Sequence, residues 1–230
     1  MTHASYRQFC PLAMAAEILC KRWTMVVIRE LIAGSTRFND LHRGVPRMSP
    51  TLLSKRLDEL VETGIVERVP AQGERGVYEY RLTPAGRDLL PVVDAMGFWG
   101  QKWVESSLSL KNLDPSLLMW DMRRSLDPAP LPKRRAVIQF RYPELSAGQR
   151  DWWLVVDPSG EVDLCSVDPG FEVDLYVTTD LRTMTSVWMG LSTVSAVRDR
   201  FDLDGDPKIA GSIQQWLGLS HFAVQPKLVS

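Results

Sequence analysis

The Ser49-Pro50 pair constrains the fold more than any other feature of the sequence. A serine side chain can accept a hydrogen bond from a free amide of the first helical turn, and proline at the first helical position has no amide that needs a partner. The pair therefore predicts a helix that runs to about Thr63 and stops at Gly64. Its apolar side contains Leu53, Leu57, Leu60 and Val61, and its polar, partly basic side contains Thr51, Ser54, Lys55 and Asp58.

Two strands are predicted directly after this helix. Residues 65–69 and 78–82 alternate between apolar and polar side chains, and residues 70–76 contain two glycines, so the segment is predicted to form a β-hairpin. Before the helix, apolar spacing predicts helices over 12–20 and 24–33, with Gly34 as a stop, and a short helix over 37–41. This order is that of a winged helix-turn-helix, whose second helix reads the major groove of DNA.

The charge distribution supports a nucleic-acid partner for the N-terminal half. Residues 1–104 contain 14 Lys and Arg against 11 Asp and Glu, whereas the remainder contains 13 against 17. Positive charge attracts phosphate, so we expect the N-terminal half to contact double-stranded DNA. The predicted DNA contacts are Arg37, Arg47, Ser49, Thr51, Ser54, Lys55, Arg56 and Arg75. Taken alone, the second helix is more typical of a solvated amphipathic helix, and the hairpin that follows reverses this interpretation. The acidic Glu74 weakens the case for Arg75 at the hairpin tip.

A long helix is predicted to follow the hairpin. Thr83-Pro84 repeats the arrangement of a capping residue and proline. The predicted dimerisation residues on this helix are Leu89, Val93, Met96, Trp99 and Trp103. Two copies packed through them would place two recognition helices at the half-sites of a palindromic operator. The alternative is that this apolar stripe packs against the C-terminal half of the same chain.

Several short motifs within residues 10–104 together resemble the HxlR family of bacterial transcription regulators. The motifs are Lys21-Arg22-Trp23-Thr24, Gly34, Arg37-Phe38-Asn39-Asp40-Leu41, Met48-Ser49, Leu53-Ser54-Lys55-Arg56-Leu57, Leu60, Gly64, Tyr80-Arg81-Leu82-Thr83 and Gly86. The resemblance implies a homodimeric winged-helix repressor or activator. Cys20-Lys21 stands where the family commonly has Gly-Asp, and the hairpin is less basic than the family leads us to expect.

The cysteines offer an alternative switch. Some HxlR-like proteins sense oxidants or electrophiles through a cysteine near the N-terminus, and Cys10 stands at that place, near Arg7, Lys21 and Arg22 in sequence. A buried, inert Cys10 is the plainer interpretation. Cys10, Cys20 and Cys165 have no spacing typical of a disulfide framework or a zinc site, so no metal, cofactor or catalytic residue is predicted.

The C-terminal half has the pattern of a separate α+β domain. Residues 110–133 contain Pro115, Pro128, Pro130 and Pro132 around a short helix over 116–125, which indicates a connector. An antiparallel meander of four strands is predicted over 136–142, 152–156, 162–167 and 173–178. Helices are predicted over 181–189, 193–200 and 207–217, with a short strand and turn at 201–206. Asp202, Asp204 and Asp206 lack the glutamate of a calcium loop, and we interpret them as solvated or capping residues.

Four motifs in this half occur in an order that resembles the sterol-carrier-protein type 2 domain over about residues 115–220. They are Asp174-Leu175-Tyr176-Val177-Thr178, Asp180-Leu181, Trp188-Met189-Gly190 and Leu203-Asp204-Gly205-Asp206. The resemblance implies an apolar tunnel between a curved sheet and helices. The predicted pocket residues are Trp120, Trp153, Tyr176, Met184, Trp188, Met189 and Trp216. Such side chains also fill ordinary cores, which is the alternative for each of them.

Together these patterns predict an α+β protein with three parts. Residues 1–107 are predicted to form the DNA-binding and dimerisation domain, 108–133 the connector, and 134–230 the ligand-binding domain. The predicted function is a cytoplasmic, non-enzymatic regulator that senses a small hydrophobic, lipid-like effector and has no membrane span. A thiol switch at Cys10 is the first alternative. A lipid carrier or enzyme-like module, in which the helix-turn-helix only docks a protein, is the second.

Overall fold

The computed structural model describes residues 5–229, without the side chains of Leu108 and Ser109. The chain divides into two compact units, Met1–Met96 (unit 1) and Gly97–Ser230 (unit 2), and the boundary falls within a helix. The elements of unit 1 are α1 (Pro11–Leu19), α2 (Thr24–Ile32), α3 (Phe38–Gly44), α4 (Pro50–Glu62), β1 (Val66–Pro70), β2 (Tyr78–Leu82), α5 (Pro84–Arg87) and the first part of α6 (Leu90–Trp103).

The helix-turn-helix and the hairpin of unit 1 are confirmed. Ser49 accepts a hydrogen bond from the Leu52 amide at 3.3 Å, as its place before α4 predicts. Gly64 follows α4 with a φ of +71°, a backbone conformation that residues with a Cβ rarely adopt. Strands β1 and β2 pair antiparallel, with Val66 opposite Leu82.

A third strand segment next to the hairpin was not predicted from the sequence. The Tyr80 amide donates to the Thr36 carbonyl at 2.8 Å, and Arg37 forms an antiparallel bridge with Glu79. The residues before α3 are therefore tied to the hairpin by backbone hydrogen bonds, which fixes the turn between α2 and α3 against β2.

Unit 1 has one apolar core. Its buried residues are Val27, Ile28, Leu31, Leu41, Val45, Met48, Leu53, Leu57, Leu60, Ile65, Val66, Tyr80 and Val93. The prediction that Val61 shares the buried side of α4 is wrong, because its side chain is 36% exposed. Val61 lies 100° around the helix from Leu60, at the edge of the buried stripe.

The single long helix predicted after Thr83 is wrong. Thr83 caps α5, where its hydroxyl accepts from the Gly86 amide, but the helix ends at Arg87 and α6 begins at Leu90. Pro91 gives the reason: a proline has no amide to donate, and its ring disfavours helical geometry in the preceding residue. The Leu89 amide instead donates to the Gly86 carbonyl, three residues earlier in the chain, at 3.2 Å, as in a turn.

Unit 2 combines a five-stranded sheet with short helices. After the end of α6, its elements are α7 (Ser106–Ser109), α8 (Pro115–Ser125), β3 (Ala136–Arg141), α9 (Ala147–Arg150), β4 (Asp151–Val156), β5 (Val162–Cys165), β6 (Leu175–Thr178), α10 (Leu181–Trp188), β7 (Asp202–Gly205), α11 (Pro207–Gly211) and α12 (Ile213–Trp216). Single 3-10 turns occur at Arg198–Arg200 and His221–Val224.

The antiparallel meander predicted for this sheet is only partly correct. The strand order is β5-β4-β3-β6-β7, and β6 runs parallel to β3 instead of pairing with β5. Strand β3 is buried at every position from Ala136 to Phe140, so both of its faces are covered. A strand buried on both faces is a central strand and needs a neighbour on each edge, and β4 and β6 supply these neighbours.

The predicted connector contributes a helix to the core. Asp114 caps α8 by accepting from the amides of Ser116 and Leu117, and Pro115 begins the helix. Leu118, Met119 and Met122 of α8 pack in the same apolar cluster as Ile138, Phe140 and Met184. The prolines thus mark helix and turn starts in unit 2, and residues 108–133 are not an independent linker.

Two of the predicted C-terminal helices are also corrected. Residues 193–200 form turns with one 3-10 turn at Arg198–Arg200, and the helix predicted over 207–217 is divided into α11 and α12. The Ser212 hydroxyl donates to the Lys208 carbonyl at 2.9 Å at this division, a local bond that competes with helical geometry. Asp206 caps α11 through the Lys208 amide at 2.8 Å, as a capping role predicts. Within residues 5–229, no helix has both the length and the apolar composition needed to cross a bilayer.

Candidate nucleic-acid interface

The exposed side of α4 is the centre of the candidate interface. Leu53, Leu57 and Leu60 anchor the helix in the core of unit 1. Thr51 and Lys55 are exposed on the opposite side, and Ser54 is half-buried between the two sides. Arg47 and Ser49 are exposed just before the helix. The structure therefore places five of the predicted DNA contacts in or directly before one accessible helix.

Arg56 is oriented differently from the predicted DNA contact. Its Nε donates to the Arg22 carbonyl at 3.0 Å, its Nη1 donates to Glu59 at 2.7 Å, and its side chain is only 15% exposed. Lys21 also contacts Glu59, with 3.3 Å between Nζ and Oε2. Arg56 thus joins α4 to the turn between α1 and α2, which makes it a positioning residue for the helix.

Glu59 is the shared acceptor of this network. Burial raises the pKa of its carboxyl, but the hydrogen bonds and positive charges of Lys21 and Arg56 outweigh burial and hold the pKa below its ordinary value. Glu59 therefore stays ionised and keeps both cations on the inner side of α4.

Two of the predicted DNA contacts lie in or beside the hairpin, and they differ in whether an acidic residue binds them. Arg75 is exposed at the tip. Arg37, before α3, forms an ion pair with the neighbouring Glu74, with 3.2 Å between Nη1 and Oε2, and both side chains are about half exposed. The pair spans a groove of about 690 Å³ between α3 and the hairpin. Any phosphate that reaches Arg37 must compete with the Glu74 carboxylate.

The same groove contains two further cations, which the predicted DNA contacts did not include. Arg68 of β1 stacks its guanidinium over the Tyr78 ring at 4.0 Å, and Arg43 lies 3.4 Å from Asp40 on α3. Arg68 lies opposite Tyr80 in the hairpin, and Tyr78 is its diagonal neighbour across the strands, so the alternating pattern could have indicated the stack. Arginine held flat on an aromatic ring keeps its donors available at the edge of the guanidinium.

A buried carboxylate packs against the C-terminal end of α3. Glu30 of α2 is fully buried, forms an ion pair with Arg29 and accepts from the Ser35 hydroxyl at 3.3 Å. A Cβ at Gly44 would lie 1.9 Å from the Glu30 carboxyl group. Only glycine fits at the end of α3, and the signal that could have revealed this is Glu30, the one acidic residue of α2.

The predicted dimerisation residues separate into two groups. Val93 is 7% exposed and Leu89 packs beside it, so both belong to the core of unit 1, contrary to the prediction. Met96 is 56% exposed in unit 1. Trp99 and Trp103 are exposed in unit 2. Helix α6 therefore presents an apolar surface, but a narrower one than predicted.

The sequence reasoning missed a second apolar surface, on and before α1. None of the residues of α1 is buried. The exposed apolar residues of this segment are Tyr6, Phe9, Leu12, Met14 and Ile18. Within α1, only Leu19 at the end of the helix packs against the core of unit 1.

The predicted pocket residues do not line one cavity. Met184 and Trp216 are fully buried in the main core of unit 2, and Trp188 packs against that core. Trp153 belongs to a small cluster with Val137 and Val155, and Tyr176 is 41% exposed. Residues Trp153 and Tyr176 both lie opposite Gln139, so they share the other face of the sheet.

The remaining two pocket candidates have separate surroundings. Trp120 is buried and lies 4.3 Å from the Arg123 guanidinium. Met189 is half-buried, and its carbonyl accepts from the Gln101 side chain at 3.1 Å. The prediction of a single pocket is therefore wrong, because side chains that alternate along a strand point to opposite faces.

Cys10 and Cys20 are exposed, and Cys165 is half-buried in β5. Cys10 directly precedes α1. Burial raises the pKa of the Cys165 thiol, with a smaller contribution from Asp163. Among residues 5–229, no three His, Cys, Asp or Glu side chains converge in the way that metal ligands do.

Comparison with known proteins finds relatives of the N-terminal half. The family described as HxlR-like helix-turn-helix matches residues 18–108, which include α2 to α6. Bacillus subtilis YvaP, named an uncharacterized HTH-type transcriptional regulator, is 35% identical over 103 residues, which are 44% of this chain and 94% of YvaP. Rv3095 of Mycobacterium tuberculosis, named in the same way, is 44% identical over 92 residues, which are 39% of this chain.

The match spans only 56% of the length of Rv3095. Among solved structures, the reduced form of the transcriptional regulator YodB from Bacillus subtilis is 32% identical, with a TM-score of 0.38 over 43% of this chain and 97% of YodB.

Proposed function

The chain belongs to the HxlR-like helix-turn-helix family, and on that premise we propose that it binds a palindromic operator as a homodimer and regulates transcription. The YvaP and Rv3095 relatives are named HTH-type transcriptional regulators, which supports this function. The proposal includes no catalytic step and no cofactor.

The observation that carries the proposal is the exposed side of α4. The helix is anchored by three buried leucines, begins at a serine cap and presents Thr51 and Lys55 to solvent, with Arg47 before it. The hairpin follows directly and exposes Arg75. An accessible, rigidly anchored helix beside a hairpin is the geometry with which a winged helix enters the major groove while the hairpin contacts the backbone.

The test is a fluorescence-anisotropy titration of operator duplexes selected from a random pool, repeated at several salt concentrations. Affinity should fall steeply with salt, because each phosphate contact releases counterions. Lys55→Ala should weaken binding and lower the salt slope by about one. Lys111→Ala, which removes an exposed lysine from unit 2, is the matched control and should change nothing. Binding that ignores both salt and Lys55 would exclude α4 as the DNA-reading helix.

The homodimer is supported by the apolar surfaces of α1 and α6. Apolar patches of this kind on a protein surface mark interaction sites, and the exposed residues on these helices include Leu12, Met96 and Trp99, with Phe9 just before α1. Sedimentation velocity should show a dimer for the wild type. Leu12→Glu and Met96→Glu should each shift the protein toward monomer, and a monomeric wild type would contradict the proposal.

We also propose that unit 2 holds a hydrophobic, sterol-carrier-type ligand. The buried indole Nε1 of Trp188 supports this, since no hydrogen-bond partner occupies it among the described residues. Trp188 and the half-buried Met189 are the pocket residues that remain accessible enough to contact a ligand. Native mass spectrometry followed by organic extraction should detect a co-purifying molecule, and Trp188→Phe should reduce its occupancy. A protein without any bound molecule, at the mass of the bare chain, would contradict this part.

A thiol switch is a second candidate function, because Cys10 is accessible to oxidants. Diamide treatment should then change operator affinity in the wild type but not in Cys10→Ser, while both bind equally when reduced. Cys20→Ser is the matched control, since Cys20 is also exposed. A diamide response that persists without Cys10 would exclude this candidate.

A further inference from the structure

A second cleft in unit 1 is lined by residues of α2, β2, α5 and α6. It has a volume of about 400 Å³, which falls within the range of small-molecule sites. Its apolar walls come from three elements: Leu31 and Ile32 of α2, Tyr80 and Leu82 of β2, and Leu90 at the start of α6. The lining is mainly apolar, and the remaining residues are Thr36, Arg81 and Arg87.

The two arginines of this cleft differ in their available donors. Arg81 uses its Nε and Nη2 to bind Glu79, at 3.1 and 2.7 Å. Arg87 uses only Nη1, which donates to the Leu82 carbonyl at 2.7 Å. That bond holds the guanidinium of Arg87 at the cleft, and its other nitrogens have no partner among residues 5–229. Arg87 therefore combines a fixed position with free, charged donors.

We propose that this cleft binds a small apolar anion, such as an aromatic carboxylate or sulfonate, with its ring against Leu31, Ile32 and Leu90 and its charged group on Arg87. A guanidinium beside an apolar wall suits a ligand of this kind. The planar donors bind the oxyanion of the ligand, and the aromatic ring of the ligand is transferred from water to the apolar wall. A neutral apolar molecule would leave the donors of Arg87 unused, and a hydrophilic anion would leave the apolar wall in water.

The cleft lies next to residues of the candidate nucleic-acid interface and of the proposed dimer contact. Thr36, whose carbonyl accepts from the Tyr80 amide, lines the cleft and directly precedes Arg37. Leu90 opens α6, whose exposed surface is part of the proposed dimer contact. A ligand here contacts the hairpin and the start of α6 together, so it can favour one arrangement of the two. This regulatory step rests on the proposed DNA-binding function, whereas the binding site does not.

The test uses two dyes with the same ring system, 1-anilinonaphthalene-8-sulfonate and the uncharged N-phenyl-1-naphthylamine. Fluorescence titration of the full chain should show saturable sulfonate binding, with weaker binding of the uncharged dye. Arg87→Gln should weaken sulfonate binding by about fivefold, the scale of a solvent-accessible charged contact, and leave the uncharged dye unaffected. Leu90→Gln should weaken both dyes, because both use the apolar wall.

Arg182→Gln is the matched control, because Arg182 of unit 2 also donates a single bond to a backbone carbonyl and lies outside the cleft. This variant should bind both dyes as the wild type does. Absence of a saturable sulfonate site, equal affinity for the two dyes, or unchanged binding in Arg87→Gln would each overturn the binding site. The first result would also be expected if a second copy of the chain filled the cleft.

The regulatory step is tested separately by adding the sulfonate dye to the operator titration. Saturating dye should shift the operator affinity of the wild type and leave that of Arg87→Gln unchanged. An unchanged wild-type affinity would overturn the regulation. Absence of any DNA binding would instead contradict the proposed function, while the dye titration without DNA would still decide whether the cleft binds anions.

Discussion

Units 1 and 2 both pack their helices around an apolar core, but in unit 1 charged side chains also connect the helices. In unit 1, charged side chains connect the helices: Lys21 and Arg56 meet on Glu59, and Glu30 is buried between Ser35 and Gly44. In unit 2, the helices are held mainly by an apolar cluster on one face of the sheet, with Trp216 at its centre. In unit 1, a charged side chain therefore either connects two elements of the unit or remains exposed to solvent. In unit 2, an aromatic side chain lies on one face of the sheet or on the other.

This difference shows why residue type alone does not identify a site in either unit. Lys55 and Arg56 are neighbours in sequence and both basic, yet one is exposed and the other is bound internally. Trp153 and Trp216 are both buried aromatics, yet they belong to different clusters. In both units the function of a side chain depends on which side of its element it occupies.

The largest effect is expected from Trp216→Ala. Trp216 is fully buried, donates to the Ile209 carbonyl at 2.8 Å and lies edge-on to Phe140. Loss of the ring should lower the free energy of unfolding by about 3–5 kcal/mol, measured by urea denaturation with circular dichroism. Tyr176→Ala, on the opposite and exposed face, should cost under about 1 kcal/mol. Equal losses in the two variants would contradict the separation into two faces.

Gly44→Ala should have the next largest effect, because the new methyl group would collide with the buried Glu30 carboxyl. We expect a loss of about 2 kcal/mol, typical of overpacking, in thermal or urea unfolding. Gly100→Ala is the control: Gly100 lies within α6 with no atom near a Cβ, so alanine there should stabilise by about 0.5–1 kcal/mol. A neutral Gly44→Ala would show that α3 does not rest on Glu30.

Glu59→Gln tests the charged network of unit 1. It should lower the unfolding free energy by about 1 kcal/mol at pH 7, because Lys21 and Arg56 lose their shared acceptor. The pKa of Glu59 is depressed in the folded chain, so its stabilisation is present above the ordinary value of 4.5 and is lost as pH falls below it. The acid-induced loss of stability should therefore be smaller in Glu59→Gln.

Glu62→Gln is the control for this experiment, since Glu62 is exposed one turn away on the same helix. It should change neither the stability at pH 7 nor the acid dependence. If the two variants behave alike, the network contributes nothing specific, and unit 1 is held by apolar packing as unit 2 is.

The smallest effect is expected from Glu74→Gln. Removing this carboxylate releases Arg37 to bind phosphate, so operator affinity should rise by about twofold to threefold, the scale of an exposed ion pair. Glu161→Gln removes the same charge from the exposed surface of unit 2 and should leave the affinity unchanged. A weaker affinity in Glu74→Gln would show that the ion pair orients the hairpin for binding.

The sequence predicted the elements of unit 1 well because their signals are local. Serine and proline at 49–50 and glycine at Gly64 set the ends of α4 through bonds and backbone angles within a few residues. The break before α6 was also predictable from Pro91, which the apolar stripe concealed. The parallel pairing of β3 and β6 was not predictable in this way, because it joins residues far apart in the chain.

Three of the predicted DNA contacts, Arg47, Lys55 and Arg75, are exposed in the structure, and their contact with DNA stays a prediction. Arg56 and Arg37 differ because their partners, the Arg22 carbonyl and Glu74, are each more than 30 residues away. The residues of the anion-binding cleft come from α2, β2, α5 and α6, and no local spacing connects them.

The sequence by itself determined the order of the helix-turn-helix and hairpin, the ends of α4 and the concentration of positive charge near it. These depend on hydrogen bonds and backbone preferences among neighbouring residues. The tertiary structure alone decided which cations remain exposed, which face of the sheet each aromatic occupies and where the clefts lie. Those outcomes depend on contacts between distant segments, whose free energy appears only once the chain has folded.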